Sequence, residues 1–78
     1  MACINPDGTL SPSGRRMLSI LPRLSDPEPM SIETLSQQSG LPLYRVRASL
    51  REFLAAGLVS EESSLYRRTA AADDALAR

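Results

Sequence analysis

Ser39-Gly40-Leu41-Pro42-Leu43-Tyr44-Arg45-Val46-Arg47-Ala48-Ser49-Leu50-Arg51-Glu52-Phe53-Leu54-Ala55-Ala56-Gly57-Leu58-Val59 is the stretch on which the reading of this chain turns. A glycine able to take positive φ ends one helix, and Pro42 restarts the next at a first-turn position, where its missing N–H costs nothing. Across the helix that follows, over about 42–56, Val46, Leu50 and Phe53 fall within about 60° of one another at 100° per residue. Leu43 and Leu54 stand on one margin of that apolar stripe. The opposite side carries Tyr44, Arg45, Ala48, Arg51 and Glu52, with Arg47 on the flank. Ala56-Gly57 closes the helix, and Leu58 to Glu61 reads as a strand.

Upstream, Ser31 caps an earlier helix whose Glu33 complements the dipole and whose Ile32, Leu35 and Ser36 face inward. Only about three residues separate this helix from the next, the length of the turn in a helix-turn-helix pair. Before it, Ser25-Asp26-Pro27-Glu28-Pro29 is a connector, because two prolines and their predecessors disfavour helix, and Met30 is placed for a short strand pairing. Ser11-Pro12 opens a first helix carrying Met17, Leu18, Leu21 and Leu24 at helical spacing. Pro22 removes the bond back to Leu18, so the regular helix is expected to end near Leu21. Downstream, Glu62-Ser63-Ser64 reads as a turn and Leu65 to Thr69 as the returning strand.

These elements predict a mainly α domain with a small β-hairpin: three helices plus a wing of two or three strands over residues 11–69. Residues 1–10, with the turn signal Asn5-Pro6-Asp7-Gly8, are expected to be a loosely ordered lead-in. The alanine-rich tail, residues 70–78, is expected to add a helical turn or to fray.

Composition narrows the chemistry. Seventy-eight residues, 42% hydrophobic and 23% charged, describe one small globular domain. No apolar run approaches the ~20 residues that cross a bilayer, and the N-terminus has no basic-then-apolar leader, so a cytoplasmic protein without a membrane partner is expected. The single Cys3 agrees with a reducing compartment and is expected to be inert. With no histidine and one cysteine, zinc-finger spacing and Cys–His or Ser–His catalysis are excluded. The carboxylates are scattered or paired near turns, and there is no phosphate-cradling glycine loop, so neither an enzyme nor a cofactor is expected. All nine basic residues are arginine and nine acids balance them, which argues against strong nonspecific nucleic-acid binding.

In this order the residues from Ser11 to Thr69 resemble the winged helix-turn-helix domain of bacterial transcription regulators. The resemblance is carried by Leu35, Gly40-Leu41, Val46, Leu50, Phe53 and Ala56-Gly57-Leu58-Val59. More narrowly, Leu43-Tyr44-Arg45-Val46-Arg47 with Leu50 and Gly57 is similar to the recognition-helix segment of small fimbrial-operon regulators. It implies that Tyr44, Arg45 and Arg47 face the DNA groove while Val46 and Leu50 are structural. Glu61 and Glu62 depart from that pattern by putting negative charge in the wing.

The candidate DNA-binding residues are therefore Tyr44, Arg45, Arg47, Ala48 and Arg51 on the third helix and Arg67 and Arg68 on the wing. Arginine can pair bidentately with guanine, Ala48 permits close approach or contact with a thymine methyl, and Tyr44 and Ser49 suit phosphate. The alternative for the helix arginines is a solvated face with Glu52 pairing locally. For Arg67 and Arg68 it is neutralisation of Glu61 and Glu62 across the hairpin. Arg15 and Arg16 are further phosphate candidates from the first helix. The expected partner is double-stranded DNA, with a second copy of the chain or another regulator to supply specificity. A protein-interaction module on the same scaffold is the alternative function. RNA binding is a third reading, disfavoured because only Tyr44, Phe53 and Tyr66 are aromatic and Phe53 is assigned to the core.

Overall fold

The structure, a computed structural model of the chain, describes residues 3–78. In chain order the elements are α1 (Pro12–Ile20), β1 (Met30–Ser31), α2 (Ile32–Ser39), α3 (Leu43–Ala55), β2 (Val59–Glu62), β3 (Leu65–Arg68) and α4 (Ala70–Ala77). The described residues thus form four helices and a three-stranded antiparallel sheet of order β1-β3-β2.

Local chemistry sets most boundaries. Ser11 Oγ accepts the Gly14 N–H at 3.1 Å, with Pro12 opening α1. The helix stops before Pro22, where the Leu21 N–H turns back to the Leu18 carbonyl at 3.2 Å. Leu24, expected to extend the inward stripe, instead lies beyond that stop and is 54% exposed. Ser31 Oγ caps α2 through the Thr34 N–H, and Gly40 ends it at φ 74°. The turn into α3 is held by side chains of α2. Ser36 Oγ donates to the Leu41 carbonyl at 2.6 Å, and Ser39 Oγ accepts the Leu41 N–H at 3.2 Å. Pro42 sits one residue ahead of its expected place, at the cap position, where it offers no side-chain acceptor.

The inward face of α3 is the expected one. Val46, Leu50 and Phe53 are buried with Met17, Leu18 and Leu21 from the α1 segment and Leu35 from α2, while Val59 and Tyr66 close the core from the sheet. The helix margin is also as expected, with Leu43 and Leu54 each 37% exposed. Met30 pairs with Tyr66. Strands β2 and β3 run from Val59↔Arg68 to Glu62↔Leu65. The two residues between them, Ser63 and Ser64, have φ of 54° and 63°, the positive pair that a tight hairpin between twisted strands requires.

One expectation fails. Residues 3–10 are not a loose lead-in, although Met1 and Ala2 lie outside the described residues. Cys3 is buried in the core, Ile4 bridges Leu10, and the Asn5 N–H reaches the Thr9 carbonyl at 2.7 Å. The Cys3 carbonyl accepts the Ser11 N–H at 3.0 Å and lies so close to Gly14 that a Cβ there would collide with it. The tail takes the helical one of its two expected forms, as α4. Thr69 caps α4, Ala72 is fully buried, and α4 lies against α1. The packing of α4 on α1 was not visible in the sequence, because it joins residues far apart along the chain. No helix among the described residues is long and apolar enough to cross a membrane.

Candidate nucleic-acid interface

The burial that orients α3 leaves the other half of its circumference in solvent. Tyr44 is 71% exposed, Arg47, Ala48 and Arg51 are exposed, and Arg45 is half-buried. The guanidiniums of Arg45, Arg47 and Arg51 make neither an ion pair nor a hydrogen bond with any described residue; the ion pair among the described residues joins Arg68 of β3 to Asp73 of α4. Glu52 does not pair with them either. Its carboxylate accepts the Cys3 backbone N–H at 3.0 Å. Because Pro42 supplies no cap and its carbonyl takes both the Arg45 and Val46 N–H groups, the N–H groups of Leu43 and Tyr44 remain open at the positive end of the helix dipole.

The exposed arc carries two shallow hollows. One, of about 380 Å³, is lined by Tyr44, Arg45, Ala48, Ser49 and Glu52. The other, of about 240 Å³, is lined by Ile32, Arg47, Leu50, Arg51, Leu54 and Tyr66. Five of the expected residues therefore come together on one surface, distributed over its two flanks. Ser49, expected to reach phosphate, is buried and faces the Cys3 thiol, with Oγ and Sγ 2.7 Å apart. That contact gives Cys3 a partner the sequence did not suggest.

Arg67 and Arg68 do not belong to this surface. Arg67 donates to the carbonyls of Asp26 and Pro27 at 3.2 and 3.0 Å, tying the proline connector to the sheet. The Arg68 side chain is 13% exposed. Its Nε meets the Asp73 carboxylate at 2.8 Å, and its Nη1 reaches the carbonyls of Leu18, Ser19 and Leu21 at 2.8–3.2 Å. Neither arginine neutralises Glu61 or Glu62. Carbonyls freed at the end of α1 are strong acceptors for a cation, and strand pairing aims Arg68 at them. Arg15 likewise donates to the carbonyls of Leu76 and Arg78 at 3.0 and 2.6 Å, gathering the end of α4, whereas Arg16 is exposed.

The acids of the hairpin remain as a counterweight. Glu61 and Glu62 are exposed, and Glu61 accepts the Tyr66 hydroxyl at 2.9 Å. Burial first, and then that bond, hold the Tyr66 phenol above its ordinary value of 10.0. At the far end of the chain the Asp7 carboxylate is held below its usual value by its bonds to Thr9. Among the described residues no group of three metal-ligating side chains stands together. The chain matches no protein-family model, no curated protein and no solved structure.

Proposed function

We propose that this chain is a winged helix-turn-helix DNA-binding regulator, acting in the cytoplasm, whose α3 enters the major groove. The observation that carries the reading is the set of three guanidiniums on α3, at Arg45, Arg47 and Arg51, with no protein partner among the described residues. Arginines placed to stabilise the fold find carbonyls or carboxylates, as Arg15, Arg67 and Arg68 do. Those left without partners around a small residue have the arrangement that base edges and phosphates satisfy. Ala48 lets the helix axis come close, and the open amides of Leu43 and Tyr44 suit a phosphate at the groove edge. The order β1-β3-β2 behind α3 and the short turn before it support the same architecture.

The hairpin acts in this reading by shape, since its own arginines are committed elsewhere. One such module covers about 600–1,000 Å² on DNA, so specificity draws on a second copy or a partner regulator. The test is a gel shift with short DNA duplexes. The wild type retards them and Arg47→Glu with Arg51→Glu abolishes the shift, while equal retardation by both proteins contradicts the assignment.

One observation favours a protein-interaction module instead. Glu52 lines one hollow, Glu61 is bonded to the Tyr66 that lines the other, and exposed Tyr44, Leu43 and Leu54 put apolar area beside the arginines, a mixture common at protein interfaces. A wild type that leaves every duplex unshifted at low salt favours that reading.

A further inference from the structure

The hollow on the Arg47–Arg51 flank has a feature that DNA contact does not require: an apolar wall. Ile32 at the start of α2, Leu50 and Leu54 of α3, and Tyr66 of β3 line it together with the two arginines. Arg47 and Arg51 are four residues apart, so their side chains rise from adjacent turns of one helix face. Neither has a partner among the described residues. The anion bonded to this wall is Glu61, whose Oε2 accepts the Tyr66 hydroxyl at 2.9 Å, so two cations stand against one partly satisfied anion.

We propose that this hollow binds a small organic carboxylate, the anion between Arg47 and Arg51 and the apolar body against Ile32, Leu50, Leu54 and Tyr66. Guanidinium forks match carboxylate geometry, and two of them on adjacent turns hold it from both sides. The wall gives a ligand with an apolar body an advantage over a bare anion, because only the former removes hydrocarbon from water. A volume of about 240 Å³ falls below the ~300–1,000 Å³ of sites for drug-sized molecules, which limits the body to a single ring or a short branched chain. The binding stands on the hollow alone. Its regulatory consequence rests on the DNA reading: Arg47 and Arg51 cannot hold phosphate and carboxylate together, so the acid displaces DNA.

The test is a methyl and arginine NMR titration of the full chain with benzoate, in parallel with acetate and benzyl alcohol. Benzoate is expected to shift the Ile32, Leu50 and Leu54 methyls and the Arg47 and Arg51 Nε signals saturably, at about millimolar concentration for a ligand of this size. Acetate lacks the body and benzyl alcohol the charge, and each is expected to bind at least about fivefold more weakly. Arg51→Gln, which removes a solvent-exposed charge, is expected to weaken benzoate by the same factor while the methyl dispersion of the core is kept. Linear, unsaturated shifts, or equal binding by the Arg51→Gln protein, overturn the site. Adding a DNA duplex separates the two claims. Benzoate binding without DNA binding upholds the site and removes the DNA reading. Simultaneous binding of both at unchanged affinity removes the competition.

Discussion

The arginines of α3 and those of β3 are the same residue type with opposite fates. Arg68 spends its guanidinium on three carbonyls at the end of α1 and on Asp73, and Arg67 on two carbonyls of the proline connector. Arg45, Arg47 and Arg51 touch no acceptor among the described residues. The difference follows from what each element faces. A strand beside a helix end and a connector meets unsatisfied carbonyls, whereas the outer face of a helix meets only water. An arginine near a helix end is thus as readily a fastener as a binding residue, and the count of positive charges in the sequence overstates the surface available to a polyanion.

The strongest way to break this contrast is to remove the core that both regions share. Phe53→Ala deletes a fully buried ring and is expected to cost ~3–5 kcal/mol, most of the stability of a domain this size. Circular dichroism is expected to show a largely unfolded chain. A cooperative, native-like melt would mean that the inward face of α3 is wrongly assigned.

Next in size is Arg68→Gln. It leaves Asp73 without its cation and the end of α1 without its cross-strand donor, and it is expected to cost about 2–3 kcal/mol. For a domain of this length that lowers the melting midpoint by roughly 10–20 °C. A midpoint within a degree or two of wild type would put Arg68 back among the free charges.

Arg15→Gln is expected to act more locally. Its bonds to the end of α4 are partly solvated, so about 1 kcal/mol is lost, chiefly as faster amide exchange in α4. Exchange that accelerates equally across α3 would show that α4 does not come loose by itself.

The elements that depend on neighbours in the chain were legible. Ser11, Ser31 and Gly40 set helix ends by capping chemistry, Gly57 closed α3, and the stripe of Val46, Leu50 and Phe53 turned it the expected way. Ser63 and Ser64 took up the hairpin that the flanking strands implied. What escaped was determined by contacts between distant residues. Cys3 reaches Ser49 and Glu52 across 46 and 49 residues of chain. One local signal pointed there: Gly14 inside α1 is explained only by a backbone lying against it. Thr69 with Asp73 in the following turn was a usable cap signal for α4. On the candidate surface, periodicity placed Tyr44, Arg45, Arg47, Ala48 and Arg51 on one side. Nothing local distinguished Arg67 and Arg68 from them, because only folding brings the carbonyls of α1 and the connector within their reach.

The salt dependence of DNA affinity, measured for wild type and two arginine variants, tests the central contrast most directly. If three phosphates are neutralised by Arg45, Arg47 and Arg51, log affinity falls with log salt at a slope of about −3. Arg47→Gln with Arg51→Gln brings that slope to about −1 with little loss of stability, whereas Arg67→Gln leaves it unchanged. A slope that survives the double substitution on α3, or that falls with Arg67→Gln, would contradict the account.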